Sequence, residues 1–301
     1  MLPESVYPPL EDSLLLAGVV ASHATGKVLD VGCGSGIQSH TALKSKRVTS
    51  VLGVDINPVA VKHCKAAVKG AKFIRSDLFA NVSKTHFDTI LFNPPYLPQD
   101  SFPDDPATIG GKEGWETIER FLLTAPDHLS LNGKILLLFT SRTNKDKVHE
   151  LINDALLDWT MLATNHIEFE TYYVYTLMKN AVRKDAEKNG VTTISYLAKG
   201  KRGLVFSGKQ KGKNVVLKIK NPSSNAFGRL ANEARILKIV NKKGIGPKLL
   251  FSTENVVCCA FADGTIVRDW LPTASQRAAL TVLRDVLKQC FVLDTLGLQK
   301  E

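Results

Sequence analysis

The chain has 301 residues, of which 44% are hydrophobic and 23% charged, and its formal net charge is +10. That length fits two ordinary domains or one large one, and the hydrophobic share excludes a disordered chain. There is no run of about eighteen apolar residues, so no membrane span is predicted, and Met1-Leu2-Pro3-Glu4 opens without the basic and apolar regions of a secretory signal. Cys33, Cys64, Cys258, Cys259 and Cys290 form no CxxC pair, which argues against a zinc site or disulfide framework and for a reducing, cytoplasmic compartment. Residues 1–179 hold 17 Lys+Arg against 20 Asp+Glu, a charge of −3, whereas residues 180–301 hold 22 against 9, a charge of +13. The break near residue 180 predicts two units: 1–179 and 193–301, joined by a linker over 180–192.

In chain order, 27–32 (KVLDVG) and 50–55 (SVLGVD) read as short buried strands. Asn57 to Lys69 has helical spacing, with Pro58 at its start. Further strands are predicted at 72–75, 87–93 and 133–140, and helices at 115–129 and 145–157. Two β-rich runs near 160–163 and 172–178 close the first unit. Strands alternating with helices imply a parallel, doubly wound sheet with its ligand site at the carboxyl ends of the first strands. Beyond 190 the pattern changes: β-rich segments over 194–218 with Gly-rich turns at 200–203 and 208–212, a helix over 227–241, strands at 247–251 and 255–262, and one long or two short helices over 273–296.

Three clusters carry chemistry. The first strand runs into Asp30-Val31-Gly32-Cys33-Gly34-Ser35-Gly36, where alternate glycines let the backbone approach a ligand. Asp55 ends the next strand, where a carboxylate can accept from both hydroxyls of a ribose. The loop is GxGxG rather than the GxGxxG of a dinucleotide enzyme. Asp77, in Arg75-Ser76-Asp77-Leu78, is placed to accept from the exocyclic amine of an adenine lying against Leu78. Asn93-Pro94-Pro95-Tyr96 follows the fourth strand, and its two prolines impose a stiff loop. The Asn93 side-chain carbonyl and the Pro94 main-chain carbonyl can accept from one NH2 group, and Tyr96 offers a face for a planar group. This suits an amine conjugated to a π-system, either a side-chain amide or a nucleobase amine, whose weak nucleophilicity makes positioning the main source of rate.

At these residues the sequence resembles the class I S-adenosylmethionine-dependent methyltransferases with an NPPY motif. Within them it is similar to the eukaryotic and archaeal release-factor glutamine methyltransferases related to HemK/PrmC. The resemblance covers roughly 6–179. It rests on Val6-Tyr7-Pro8-Pro9-Leu10-Glu11-Asp12-Ser13, on DVGCGSG, VDINP, SDL and FNPPY in order, and on Gly110-Gly111-Lys112-Glu113-Gly114. It implies a Rossmann-like fold with a seven-stranded, mostly parallel sheet. It also implies cofactor contacts at Ser13, Asp30, Gly32, Gly34, Gly36, Asp55, Asp77, Leu78 and Asn93, and a substrate amide held by Asn93, Pro94, Pro95 and Tyr96. Asp30 stands where relatives often have Glu, and the resemblance lets its shorter carboxylate meet the methionine amino group, directly or through water. The implied reaction is methyl transfer to the glutamine of the Gly-Gly-Gln loop of a class I release factor, with a small zinc-binding activator subunit as partner. A nucleic-acid amino-methyltransferase remains the alternative, because NPPY serves either planar NH2, and the basic second unit leaves RNA open as a partner.

Leu197 to Phe206 resembles the glycine-rich loop of protein kinases and their atypical archaeal relatives, with Ala198 in place of the first glycine. Lys218 looks like the phosphate-binding lysine, and Glu233 like its partner on a helix fifteen residues on. The resemblance implies an incomplete kinase-like N-lobe over 193–301, of α+β character. With neither an HRD-like loop nor a DFG-like metal site in this sequence, no phosphoryl transfer is predicted. An ATP-binding or scaffold module is the remaining reading of that unit. The seven histidines (His23, His40, His63, His86, His128, His149, His166) are scattered and read as ordinary surface or core residues.

Overall fold

Largely continuous apolar runs on consecutive strands produce a sheet with two buried faces. A computed structural model describes residues 2–99, 107–200, 203–220 and 229–298. Its first elements are α1 (Glu11–His23), β1 (Gly26–Val31), α2 (Ile37–Leu43), β2 (Val48–Asp55), α3 (Pro58–Ala67), β3 (Lys72–Arg75) and β4 (Phe87–Phe92). A short parallel pair, β5 (Leu97–Pro98) and β6 (Ile109–Gly111), comes next. Then follow α4 (Glu116–Thr124), β7 (Leu129–Thr140), α5 (Lys145–Asp154), β8 (Leu157–Ile167), β9 (Glu170–Lys179) and α6 (Ala181–Lys188). The seven-stranded sheet has the order β3-β2-β1-β4-β7-β9-β8. Its first five strands are parallel, and β9 runs antiparallel to both neighbours.

Side chains alternate across each strand, so each strand feeds two cores. Leu29, Val31, Ile90, Phe92, Ile135, Leu137 and Phe139 pack with Ile118, Phe121 and Leu122 of α4 and Val148 and Ile152 of α5. Val28, Leu91, Leu136 and Leu138 face Leu16, Val19 and Val20 of α1. The buried stripe of α1 continues into its first turn as Asp12 and Ser13, which puts two polar side chains at one end of an otherwise apolar contact. Between β1 and β4 the strand order reverses direction, and the cleft at a topological switch point of this kind opens beyond the carboxyl ends of the strands.

The predicted helix over 115–129 is α4 followed by a 3-10 turn at Ala125–His128, because Pro126 cannot continue the hydrogen-bond ladder. The chain divides into two compact units between Lys184 and Asp185, inside α6, so part of the expected 180–192 linker is helical.

The second unit carries β10 (Val191–Lys199), β11 (Gly203–Gln210), β12 (Lys213–Lys220), α7 (Arg229–Val240), β13 (Leu249–Ser252), β14 (Val256–Ala260), α8 (Val267–Trp270) and α9 (Gln276–Thr295). Its five strands form an antiparallel sheet in the order β10-β11-β12-β14-β13. Ala234, Leu237 and Val240 of α7 pack on Val257 and Cys259. The turn expected over 208–212 is shorter: Gly208 lies within β11, paired with Val215, and Lys211-Gly212 make the reversal. The region 273–296 holds one long helix, α9. Residues 227 and 228 of the expected 227–241 helix, and 201 and 202 of the expected 200–203 turn, lie outside the described residues. Among the described residues no helix is long and apolar enough to cross a membrane.

Candidate active site

A cleft of about 660 Å³ opens beyond the carboxyl ends of β3, β2, β1 and β4. Its floor is the glycine loop between β1 and α2. Gly32, Gly34 and Gly36 have φ of +67°, +47° and +82°, a region that side chains disfavour. A Cβ on Gly32 or Gly34 would meet nothing closer than 3.9 Å, so there is room for one, and the positive φ is what disfavours a side chain at these two positions. Gly36 serves a different purpose. A Cβ there would come within 2.9 Å of Val68 and 3.0 Å of Cys64, so its bareness lets α2 pack beside α3.

Asp55 fixes the loop from the neighbouring strand. Its carboxylate accepts from the Gly34 N–H at 2.9 Å and the Asn57 N–H at 2.8 Å, and it lines the cleft. Asn57 caps α3 by accepting from Val59 N–H and donates to the Ser5 carbonyl at 2.7 Å, which ties down the N-terminal segment. Beyond β3, Leu78 holds a φ of +46°, uncommon for a branched side chain. The Ser76 hydroxyl stabilises this turn by donating to the Leu78 carbonyl and accepting from Asn81 N–H. Asp77 lies at the cleft wall paired with Arg120 of α4 at 2.6 Å, a half-exposed ion pair that the sequence did not announce.

Asp30 is 2% exposed, and its Oδ2 accepts from Ser39 N–H (3.0 Å) and Ser39 Oγ (2.6 Å). Burial pushes its carboxyl up to about 7, against the two Ser39 bonds that lower it and with a smaller push from Asp55. In the same loop, the hydrogen bond with Cys64 and then burial push the Cys33 thiol up, so it is no thiolate nucleophile at neutral pH.

The other end of the cleft is built on Asn93 to Tyr96 and the first turn of α1. Asp12 is 3% exposed. Its Oδ1 accepts from the Ser13 N–H at 2.6 Å, and its Oδ2 accepts from Asn93 Nδ2 at 2.9 Å and from the Tyr96 hydroxyl at 3.5 Å. Asn93 thus turns its NH2 toward the Asp12 carboxyl. That leaves Asn93 Oδ1 buried with no hydrogen-bond partner. Ser13 Oγ also lies 3.5 Å from Asn93 Nδ2. Burial first and Asp12 second hold the Tyr96 and Tyr7 hydroxyls well above the ordinary tyrosine value, so both remain protonated donors. Tyr172, edge-on to Tyr96, is pushed up to about 12 by burial and then by Glu170.

The glycines at 110–114 brace this loop from outside. A Cβ on Gly110 would lie 2.5 Å from the Pro95 carbonyl and closer still to the Gly114 carbonyl, and one on Gly114 would lie 2.5 Å from the Tyr96 carbonyl. Tyr96 N–H and Leu97 N–H both donate to the Thr108 carbonyl, and the Thr143 hydroxyl donates to the Tyr96 carbonyl. Of the residues selected from sequence, Ser13, Gly32, Gly34, Asp55, Asp77, Leu78, Asn93, Pro94, Pro95 and Tyr96 line this one cleft. Asp12, Gln38 and Arg120 line it too and were missed. In the second unit, Lys218 Nζ of β12 pairs with Glu233 Oε1 of α7 at 2.5 Å.

A glycine loop along the cleft, a strand-end carboxylate and an unpaired acceptor beside a proline-stiffened turn fit S-adenosylmethionine next to a planar amine. The fold and site thus define a class I, S-adenosylmethionine-dependent methyltransferase. The profile of the methyltransferase small domain matches residues 11–175, and the chain belongs to that family. It is 40% identical over 157 residues to a protein named as a protein N5-glutamine methyltransferase of Methanocaldococcus jannaschii, covering 48% of this chain and 78% of that one. It is 29% identical over 152 residues to the release factor glutamine methyltransferase of Rhodopirellula baltica, covering 45% and 51%. A chain of the E. cuniculi Mtq2–Trm112 complex, titled as acting on the eRF1 translation termination factor, superposes with a TM-score of 0.49 at 26% identity over 58% of this chain and 99% of that one.

Proposed function

We propose that the first unit transfers a methyl group from S-adenosylmethionine to the side-chain amide nitrogen of a protein glutamine, in the Gly-Gly-Gln loop of a class I release factor. The observation that carries this reading is the buried, unpaired Asn93 Oδ1, whose direction Asp12 fixes. Pro94 and Pro95 bring no N–H of their own, so the turn presents acceptors rather than donors. A primary amide, with two N–H donors in one plane, fits Asn93 Oδ1 and the Pro94 carbonyl together. Holding both hydrogens aims the remaining lone pair along one line, and Tyr96, its hydroxyl on Asp12, closes the side of the pocket. When bound, S-adenosylmethionine supplies an electrophilic methyl group on a sulfonium. Asp55 would hold its ribose, Leu78 and Asp77 would flank its adenine, and Gly32, Gly34 and Ser13 would accommodate its amino-acid end. The names of the M. jannaschii and R. baltica relatives support an amide over a nucleobase.

The partner this reading carries is a small zinc-binding activator subunit. Among the described residues the edge strand β3 pairs on one side only, with β2, which leaves a side on which such a subunit could add. The compartment is the cytoplasm, where release factors act. For residues 193–301 we propose a kinase-like N-lobe serving as a binding or scaffold module, on the strength of its antiparallel sheet and the Lys218–Glu233 pair. Its basic charge suits an RNA surface.

The deciding experiment incubates the protein, with and without a zinc-binding activator, with labelled S-adenosylmethionine and a class I release factor. Label is expected on the glutamine of the Gly-Gly-Gln loop and absent with Asn93→Ala. Label in a cell extract that nuclease removes and protease leaves would replace the amide reading with a nucleobase one.

A further inference from the structure

Gln38 is the second residue of α2, directly after the glycine loop, and it lines the cleft while only 5% exposed. Its Nε2 donates to the Ser13 main-chain carbonyl at 2.9 Å. A carbonyl only accepts, so the amide cannot be turned the other way round. Gln38 Oε1 is therefore directed away from α1, and it is buried without a hydrogen-bond partner. A buried acceptor left unmatched is costly, and folded proteins rarely tolerate one without a donor arriving from a ligand or a water.

The strand order says which part of a ligand comes near. Reading along the cleft, β3 contributes Asp77 and Leu78, β2 contributes Asp55, β1 contributes Gly32 and β4 contributes Asn93. With adenine and ribose over β3 and β2, the amino-acid end falls over β1, between the loop and the first turn of α1. The acceptors there are not equivalent. Asp12 is occupied by Ser13, Asn93 and Tyr96, and the Oδ2 of Asp30 is taken by Ser39. Asn93 Oδ1 faces the substrate side in the reading above. Gln38 Oε1 is a cleft-lining acceptor left buried with no partner.

We infer that Gln38 Oε1 accepts a hydrogen bond from the α-ammonium group of the cofactor, and that Gln38 rather than Asp30 makes the direct contact. The inference rests on the cofactor reading of the cleft. Gln38 joins two tasks: its nitrogen clamps α1 to α2, and its oxygen reads the amino group in the space so formed. Asp30 then acts through Ser39, as a positioning residue for the start of α2.

The test is a cycle of four affinities measured by titration calorimetry, with no turnover involved. Wild type and Gln38→Met are titrated with S-adenosylhomocysteine and with its analogue lacking only the α-amino group. A hydrogen bond to a charged donor predicts that removing the amino group weakens wild-type binding about tenfold, and Gln38→Met binding about twofold or less. The deaminated ligand should bind both proteins about equally. Gln38→Met retaining the full preference for the amino group, or losing both ligands equally, would overturn the inference. Should Gln38→Met fail to fold, as its melting would reveal, Gln38→Glu decides. It keeps an oxygen at this place and should keep or increase the preference, so a lost preference overturns the inference. Wild type binding neither ligand would instead refute the cofactor reading beneath it, and this inference with it.

Discussion

Asp12→Asn isolates the logic of the substrate end. The change is almost isosteric, yet it replaces one carboxylate oxygen by an NH2. If the new side chain keeps its oxygen on the Ser13 N–H, its NH2 faces Asn93, which must rotate to accept with Oδ1. Asn93 then shows its own NH2 to the cleft, and a substrate amide meets a donor where it needs an acceptor. If the new side chain turns the other way, its NH2 opposes the Ser13 N–H, 2.6 Å from the present Oδ1. Losing one hydrogen bond to the substrate costs about 1–1.5 kcal/mol, and leaving its N–H against a donor adds about 1–3 kcal/mol. The sum of roughly 2–4.5 kcal/mol corresponds to about one and a half to three orders of magnitude in kcat. Asp12 touches none of the residues assigned to ribose or adenine but accepts from Ser13 at the amino-acid end, so the Kd for S-adenosylhomocysteine should rise by about tenfold at most, well short of the loss in kcat. Single-turnover methylation of a release factor, alongside calorimetric cofactor binding, separates the two effects. A variant with near wild-type turnover would refute the claim that Asp12 orients Asn93.

Three further outcomes are expected. Asp55→Ala removes the acceptor for Gly34 N–H and Asn57 N–H together with the proposed ribose contact, so cofactor affinity should fall by roughly ten- to a hundredfold; an unchanged Kd would contradict the assignment. Gly110→Ala pushes a methyl group against the Pro95 carbonyl and should lower stability by about 1–3 kcal/mol and displace Asn93, read as a lower melting temperature with reduced kcat; a silent substitution would mean that the brace is slack. Asp30, with its folded pKa raised to about 7, is protonated in the folded chain where the unfolded chain ionises, so stability falls as pH rises from about 4 to 7 and is level in this respect above. Asp30→Asn should remove that slope and gain a few kcal/mol relative to wild type at pH 8. Parallel stability profiles for the two proteins between pH 4 and 8 would show that Asp30 is not so perturbed.

The legible part of the fold had strong local signals. β1, β2 and β4 are short, largely apolar runs ending in glycine, aspartate or asparagine, and α3 starts at a proline behind an asparagine cap. α2 gave no such signal, because it has seven residues and the ones it buries are Gln38, Ser39 and Ala42, which form no apolar stripe. Gln38 went unnoticed for that reason. Asp12 was legible only as part of the N-terminal signature and carried no role there, since an acid in a first helical turn also suits the helix N-terminus. Only the tertiary fold brings it across eighty-one residues to Asn93. Asp30 shows the converse: its place in the motif was plain, but its rotamer depends on a serine that only an unrecognised helix could present.

Asp12 has a second consequence for the proposed reaction. The site sets a neutral carbonyl against the substrate amide and the charge one residue behind. As the amide nitrogen loses its lone pair to a new bond, its N–H groups become stronger donors, and the bond to Asn93 Oδ1 tightens when it is needed. The 2.9 Å bond from Asn93 Nδ2 to Asp12 draws positive charge onto that nitrogen and enriches the oxygen at the other end of the same amide. Orientation and polarisation therefore come from one contact. Asn93→Asp would place a charge in the front position and force two carboxylates together at Asp12, so the order of charge behind and carbonyl in front is not interchangeable.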